Sequence, residues 1–195
     1  MMKKRDRGFS LIELLIVMAI ILVISALAMP NVMQAIQAYK MRNTLGGFAN
    51  LSREVRMRAI RDNRDYKVFW HWDPSNRLGF FGDYNNNFMF DVGEPVYLLP
   101  NGAWVDFGGI SPSIATMNLN YNQNWNLPGF NSRGVPCIYW MTPCATVNGG
   151  PVGFQMAFYD MGFWWGQSTM WGAVTVHPGG RIKSWVWDGN SWQGQ

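Results

Sequence analysis

Side chains that usually carry reaction chemistry are scarce in this sequence. It holds two histidines and two cysteines in 195 residues. His71 in WHWD and His177 in VTVHPGG stand without a partner base or nucleophile, and neither shows ligand spacing with Cys137 or Cys144, which argues against a zinc site. No GxSxG elbow, HExxH, P-loop or Rossmann glycine fingerprint occurs either. The expectation is therefore a protein that is not an enzyme and requires no cofactor. Charge is also sparse, at 14% of residues, and the net value of +4 is concentrated at one end. Lys3, Lys4, Arg5 and Arg7 against Asp6 supply +3 of it, so bulk charge argues for no particular partner. No solenoid period is found.

What the sequence does have is one long apolar run. From Leu11 to Met29 the only strongly polar residue is Glu13, and a carboxylate in hydrocarbon costs about 3 kcal/mol even on mild insertion scales. A helix of about 20 residues rises about 30 Å, so Phe9 to Met29 can span a bilayer. The basic stretch MMKKRDRG ahead of it predicts, by the positive-inside rule, a cytoplasmic N-terminus and an exported remainder. The run is too long for an ordinary signal-peptide core and continues into a helical pattern, although ALA within SALAMP leaves a secretory-signal reading as the alternative.

The stretch RGFSLIELLIVMAII resembles the N-terminus of type IV pilins and type II secretion pseudopilins. A short basic leader ends in Gly8, an aromatic Phe9 follows, and Glu13 stands fifth in the mature chain. The resemblance implies that a prepilin peptidase cuts after Gly8, that the new amine on Phe9 is methylated, and that Glu13 meets the first residue of a neighbouring subunit. Electrostatics agrees with it, because an ammonium nearby in low dielectric is what a membrane carboxylate requires. The alternative is a Glu near the helix end that snorkels to the interface. Partners implied by the resemblance are other pilins or pseudopilins, the peptidase and the bacterial inner membrane, with secreted cargo or DNA as further candidates.

Pro30 predicts a kink or local melting after the span. Beyond it, helical spacing resumes through Asn63, with Met41, Leu45, Phe48, Ser52, Val55 and Ala59 on one stripe suited to packing on a sheet. Gly46 and Gly47 weaken this helix and permit a bend. After Asn63 the pattern becomes short β-like runs, YKVFWHW, RLGFF, PVYLL, AWVDF, GFQMAFY, WGAVTVH and RIKSWVW, separated by turn chemistry such as DPSN, HPGG and WDGN. The combination of REVRMRAIRDNRDYKV, GDYNNNFMFDVGEPVYLLPNGAWVDF, FNSRGVP and VTVHPGGRIKSW is similar to the GspH/FimT group of pseudopilins and minor pilins. The fold class expected is α+β: a long N-terminal transmembrane and amphipathic helix packed on an antiparallel β-sheet or small β-sandwich, as in type IV pilins. The organisation expected is a leader at 1–8, a membrane and assembly segment at 9–30, an amphipathic continuation at 31–63 and a β-rich periplasmic domain at 64–195.

Three further sites are candidates. In DYNNNFMFDVGE, Asp83, Asn85, Asn87, Met89, Asp91 and Glu94 stand at positions 1, 3, 5, 7, 9 and 12, the ligand offsets of an EF-hand-type calcium loop, with Met89 offering its carbonyl. Position 6 is Phe88 where the sharp turn calls for glycine, and an Asn-rich hairpin that satisfies its own backbone explains the sequence equally well. Cys137 and Cys144 lie in the exported part, where thiols oxidise, and a disulfide between them would close a small loop and contribute about 2–3 kcal/mol in the chain-entropy model. The arginines of REVRMRAIRDNR read as a solvated helix face. In GGRIKSWVW, period two puts Arg181, Lys183, Trp185 and Trp187 on one strand face, combining cations with stacking surfaces. Some FimT-like minor pilins serve DNA uptake through a basic Gly-Arg-x-Arg stretch, and here Lys183 replaces the second Arg and loses planar, bidentate phosphate recognition. The competing reading buries the tryptophans and leaves the cations edging the sheet.

Overall fold

A computed structural model describes residues 9–106, 117, 119, 123–124, 127–138, 158–165 and 170–195. The chain divides into two compact units, Met1–Ala38 and Tyr39–Gln195. A single helix, α1 (Leu11–Asp62), runs through both. Within the first unit its apolar side chains face outward, from Leu11 and Ile12 through Leu27 to Ile36. The helix is long and apolar enough to cross a membrane, and its most apolar stretch buries nothing against the protein.

Pro30 sits inside α1 without interrupting it, so the expected melting is corrected. Proline removes one amide donor, but uninterrupted helix on both sides satisfies the remaining backbone groups, and in hydrocarbon no water competes for them.

In the second unit the expected stripe is the buried face of α1: Met41, Leu45, Phe48, Ser52, Val55 and Ala59, joined by Thr44, Ala49 and Leu51. The two hydroxyls in this face bond back to their own helix, Thr44 Oγ1 to the Lys40 carbonyl at 3.0 Å and Ser52 Oγ to the Phe48 carbonyl at 2.9 Å. That is how a polar side chain survives in an apolar seam. Gly47 has a packing role, since a Cβ there would collide with the Tyr97 ring. The Tyr97 hydroxyl in turn donates to the Asn43 carbonyl at 3.2 Å.

Among the described residues eleven strands follow: β1 (Tyr66–Trp72), β2 (Leu78–Asp83), β3 (Val96–Leu98), β4 (Ala103–Asp106), β5 (Gln123–Asn124), β6 (Pro128–Phe130), β7 (Pro136–Ile138), β8 (Phe158–Trp165), β9 (Trp171–Val176), β10 (Ile182–Trp187) and β11 (Trp192–Gly194). They form two sheets, ordered β3-β2-β1-β6-β7 and β11-β10-β9-β8-β4. All neighbours along both orders are antiparallel, and β5 pairs in parallel with β8. One core unites the helix face with both sheets, through Val68, Phe80 and Phe130 of the first and Val105, Val174 and Val176 of the second. Phe48 meets Phe80 edge to face at 4.9 Å between centroids. The protein is thus α+β, as expected from its sequence.

Arg56 joins the helix to turns of both sheets. Its Nε–H donates to the Gly134 carbonyl in the β6–β7 turn at 2.9 Å, and its Nη2 to the Gly179 carbonyl in the β9–β10 turn at 3.3 Å. Gly180, at φ 78°, lies so close to this guanidinium that a side chain would displace it. The β10–β11 turn is held by Asp188, whose Oδ1 accepts the amides of Asn190 and Ser191 at 2.8 and 2.7 Å. Those bonds, Ser191 first, lower its carboxyl to about 2. At the end of α1, Asp62 accepts from Arg61, Arg58 and the Tyr66 hydroxyl at 2.8, 3.3 and 3.0 Å. Its carboxyl is lowered to about 2, chiefly by the Arg61 hydrogen bond.

Candidate functional site

The helix begins with a local arrangement that explains part of what Glu13 does. The Ser10 amide donates to Glu13 Oε2 at 3.0 Å, and the Leu14 amide to the Ser10 carbonyl at 3.2 Å. Ser10 is therefore the N-cap of α1 and Glu13 its third residue, half of the reciprocal capping box that S-x-x-E encodes. The carboxylate also lies at the positive end of the helix dipole. Ser10 is a residue that sequence reasoning passed over, although SLIE carries its signal. Phe9 is exposed just ahead of the cap, and Gly8 lies outside the described residues.

In the 83–94 loop the Asp and Asn side chains bond to backbone amides of the loop itself, as the Asn-rich hairpin reading expects. Asp83 Oδ2 accepts the amide of Phe88, the sixth residue, at 3.0 Å. Asn85 Oδ1 accepts the amide of Asn87 at 3.1 Å and Asn87 Oδ1 that of Met89 at 2.7 Å. Phe88 takes φ 62° and Asn86 φ 60°, so the positive dihedral that favours glycine at position 6 is reached by a phenylalanine. The Phe88 ring is held by Phe69 at 5.5 Å and by the Lys67 ammonium at 4.7 Å from its centroid. Asp91 Oδ2 is approached by the side-chain nitrogens of Asn85 and Asn87 at 2.6 and 2.7 Å. Glu94 closes the loop, with Oε1 accepting from the Tyr84 amide at 2.8 Å and Oε2 from the Asp91 amide at 3.0 Å.

Two buried charges stand at the root of this loop. Lys67 and Asp83 face each other across β1 and β2, at 1% and 0% exposure. Burial lowers the Lys67 ammonium, and the charges of Asp83 and Asp65 oppose that shift. Lys67 was not legible as a site residue, because only strand pairing brings it opposite Asp83.

On β10 the structure gathers part of the expected basic face. Arg181, Lys183 and Trp185 line a cavity of about 120 Å³ together with Leu119, Thr175 and His177. The Lys183 ammonium lies 4.0 Å from the centre of the Trp185 ring, and the Trp185 Nε1–H donates to Thr175 Oγ1 at 2.9 Å. Trp187 turns instead to Trp192, 5.5 Å away between centroids. In the helix, Arg58 lies over the Tyr84 ring at 4.0 Å and Arg56 clasps the turns, so these two arginines serve the fold. Cys137 is buried and disulfide-bonded. Cys144 lies outside the described residues.

No curated protein and no solved structure matches this chain. Residues 3–29 match the family model of the prokaryotic N-terminal methylation motif, a stretch that includes the basic leader, Gly8, Phe9, Glu13 and the apolar run. Over these residues the chain is similar to prepilin-type N-termini, and the motif stands at the start of an outward-facing apolar helix that leads into an α+β second unit.

Proposed function

We infer that this protein is a structural subunit, a minor pilin or pseudopilin of the GspH/FimT kind, incorporated into a type IV pilus or type II secretion filament or at its tip. The observation that carries the reading is the match to the methylation motif, with Glu13 in the first turn of a helix whose apolar side chains from Leu11 to Ile36 are uncovered. Burying a Leu or Ile side chain yields roughly 1.5–3 kcal/mol, so this face is stable only in lipid or against neighbouring helices. Prepilin peptidase cuts after Gly8 and Phe9 becomes the methylated first residue. The precursor lies in the inner membrane with its N-terminus cytoplasmic and its second unit periplasmic, then leaves the lipid for the filament. Filament assembly and contact with secreted cargo are the work of such a subunit. Mass spectrometry of the protein purified from its native membrane tests the processing: the first residue is Phe9 carrying one methyl group. A chain still beginning at Met1, or cut elsewhere, contradicts the reading.

A second reading is favoured by the cavity beside β10, which Arg181, Lys183 and His177 line together with Trp185. It makes the subunit a DNA-binding minor pilin, with cations for phosphate and an indole for a base. Arg181→Ala with Lys183→Ala then weakens DNA in a gel-shift assay by tenfold or more. Equal binding by wild type and double variant removes this site.

A further inference from the structure

We propose that the loop from Asp83 to Glu94 is a calcium site. The inference is independent of filament assembly and can fail or hold without it. Calcium takes six to eight oxygen ligands and accepts amide and carbonyl oxygens alongside carboxylates. Among the described residues no three His, Cys, Asp or Glu groups form a metal cluster. The loop carries three carboxylates that are not gathered in this structure, Asp83, Asp91 and Glu94, and adds oxygens from the side chains of Asn85 and Asn87 and the Met89 carbonyl.

The observation that points to a ligand is at Asp83. This side chain is fully buried, yet its Oδ1 has no hydrogen-bond partner. Its other oxygen is tied to the Phe88 amide in the middle of the loop, so the carboxylate is turned inward. A buried carboxylate oxygen without a donor is costly, and a cation is the group that satisfies it. Lys67 supplies positive charge opposite Asp83, and Asp65 shares it, but Lys67 leaves Oδ1 without a hydrogen bond. Part of the set is already together: Asn85 and Asn87 both reach one oxygen of Asp91, and Glu94 is held at the loop by the Asp91 and Tyr84 amides.

Binding exchanges donors for acceptors. Each Asn side chain carries an oxygen and a nitrogen on one amide carbon, so a half-turn presents oxygen where nitrogen now meets Asp91. That half-turn gives up the two side-chain-to-amide bonds at Asn85 and Asn87, and the Lys67 ammonium repels the ion. The affinity is accordingly that of extracellular modules, about 10⁻⁴–10⁻³ M.

The test uses the full chain in detergent, titrated with calcium chloride alone to about 10 mM, roughly tenfold above the weak end of that range. Wild type gives saturable heat and a rise in melting temperature. Asp83→Asn, which keeps the acceptor for the Phe88 amide, loses both. Asn85 and Asp91 are exposed, so Asn85→Ala with Asp91→Ala tests the site without disturbing the core, and it weakens binding by tenfold or more. Absence of heat and of a melting shift in wild type overturns the proposal. So does an unchanged response in the Asn85 and Asp91 double variant, which would mean calcium binds elsewhere.

Discussion

Glu13→Ala is expected to leave membrane insertion intact and to abolish incorporation into filaments. Removing a carboxylate worth about 3 kcal/mol of insertion cost makes the helix easier to place in lipid, so the precursor accumulates normally. In the proposed filament, assembly would lose the pairing of Glu13 with the amine of a neighbouring Phe9. If the pairing recovers most of that cost, the assembly equilibrium falls by roughly a hundredfold, since every 1.4 kcal/mol is a factor of ten. The Ser10 hydrogen bond seen at 3.0 Å raises a rival explanation, that Glu13 serves only to cap its own helix. Glu13→Gln separates the two. Glutamine is accepted in the capping box but carries no charge. Charge pairing predicts that Gln fails as Ala does, whereas capping predicts that Gln restores incorporation. Counting the subunit in sheared filaments against the membrane fraction decides it, and normal incorporation of either variant sinks the pairing role.

Phe48→Ala carries the largest stability effect. Phe48 is 1% exposed at the point where α1 meets the first sheet, and its ring stands edge to face with Phe80. Truncating a buried phenylalanine costs about 3–5 kcal/mol, because transfer energy and cavity cost add. Against a typical total of about 5–15 kcal/mol, that removes a large share of the stability of the second unit. Urea unfolding of the full chain in detergent, followed by tryptophan fluorescence, measures the change. A loss under about 1 kcal/mol would mean that the helix is held by other contacts, such as the Arg56 clasp.

Much of the helical half was legible because its signals are local. The stripe Met41 to Ala59 follows from helical spacing alone, and the structure buries that stripe. Of the kink or local melting expected at Pro30, melting is not found, because one missing donor does not outweigh helix on either side. In the β-rich part, YKVFWHW coincides with β1, and WGAVTVH and RIKSWVW enclose β9 and β10. The short strands β5, β6, β7 and β11 went unread, and GFQMAFY reached only the first two residues of β8. Pro128–Phe130, Pro136–Ile138 and Trp192–Gly194 are three residues each, too few to display period two, and their pairing partners define them.

The candidate sites divide in the same way. Spacing in the chain located the 83–94 loop, and the fold supplied what spacing could not: a buried Asp83 with an unpartnered oxygen and Lys67 opposite it. Phe88 was read as an obstacle to the turn, yet it occupies the positive dihedral with its ring held by Phe69 and Lys67. On β10 the sequence placed four residues on one face; packing put Lys183 over Trp185 and sent Trp187 to Trp192.

By itself the sequence determined the N-terminal pattern: a basic stretch, Gly8, Phe9, Glu13 and a run of membrane length, matched by the methylation motif over residues 3–29. All of these are properties of contiguous residues, read through charge, hydropathy and helical period. Tertiary structure alone decided which helical arginines serve the fold, how eleven strands divide into two sheets, and which charges end up buried together. Those outcomes depend on contacts between residues far apart in the chain, such as Arg56 with Gly134 and Gly179, and no local pattern encodes such a contact.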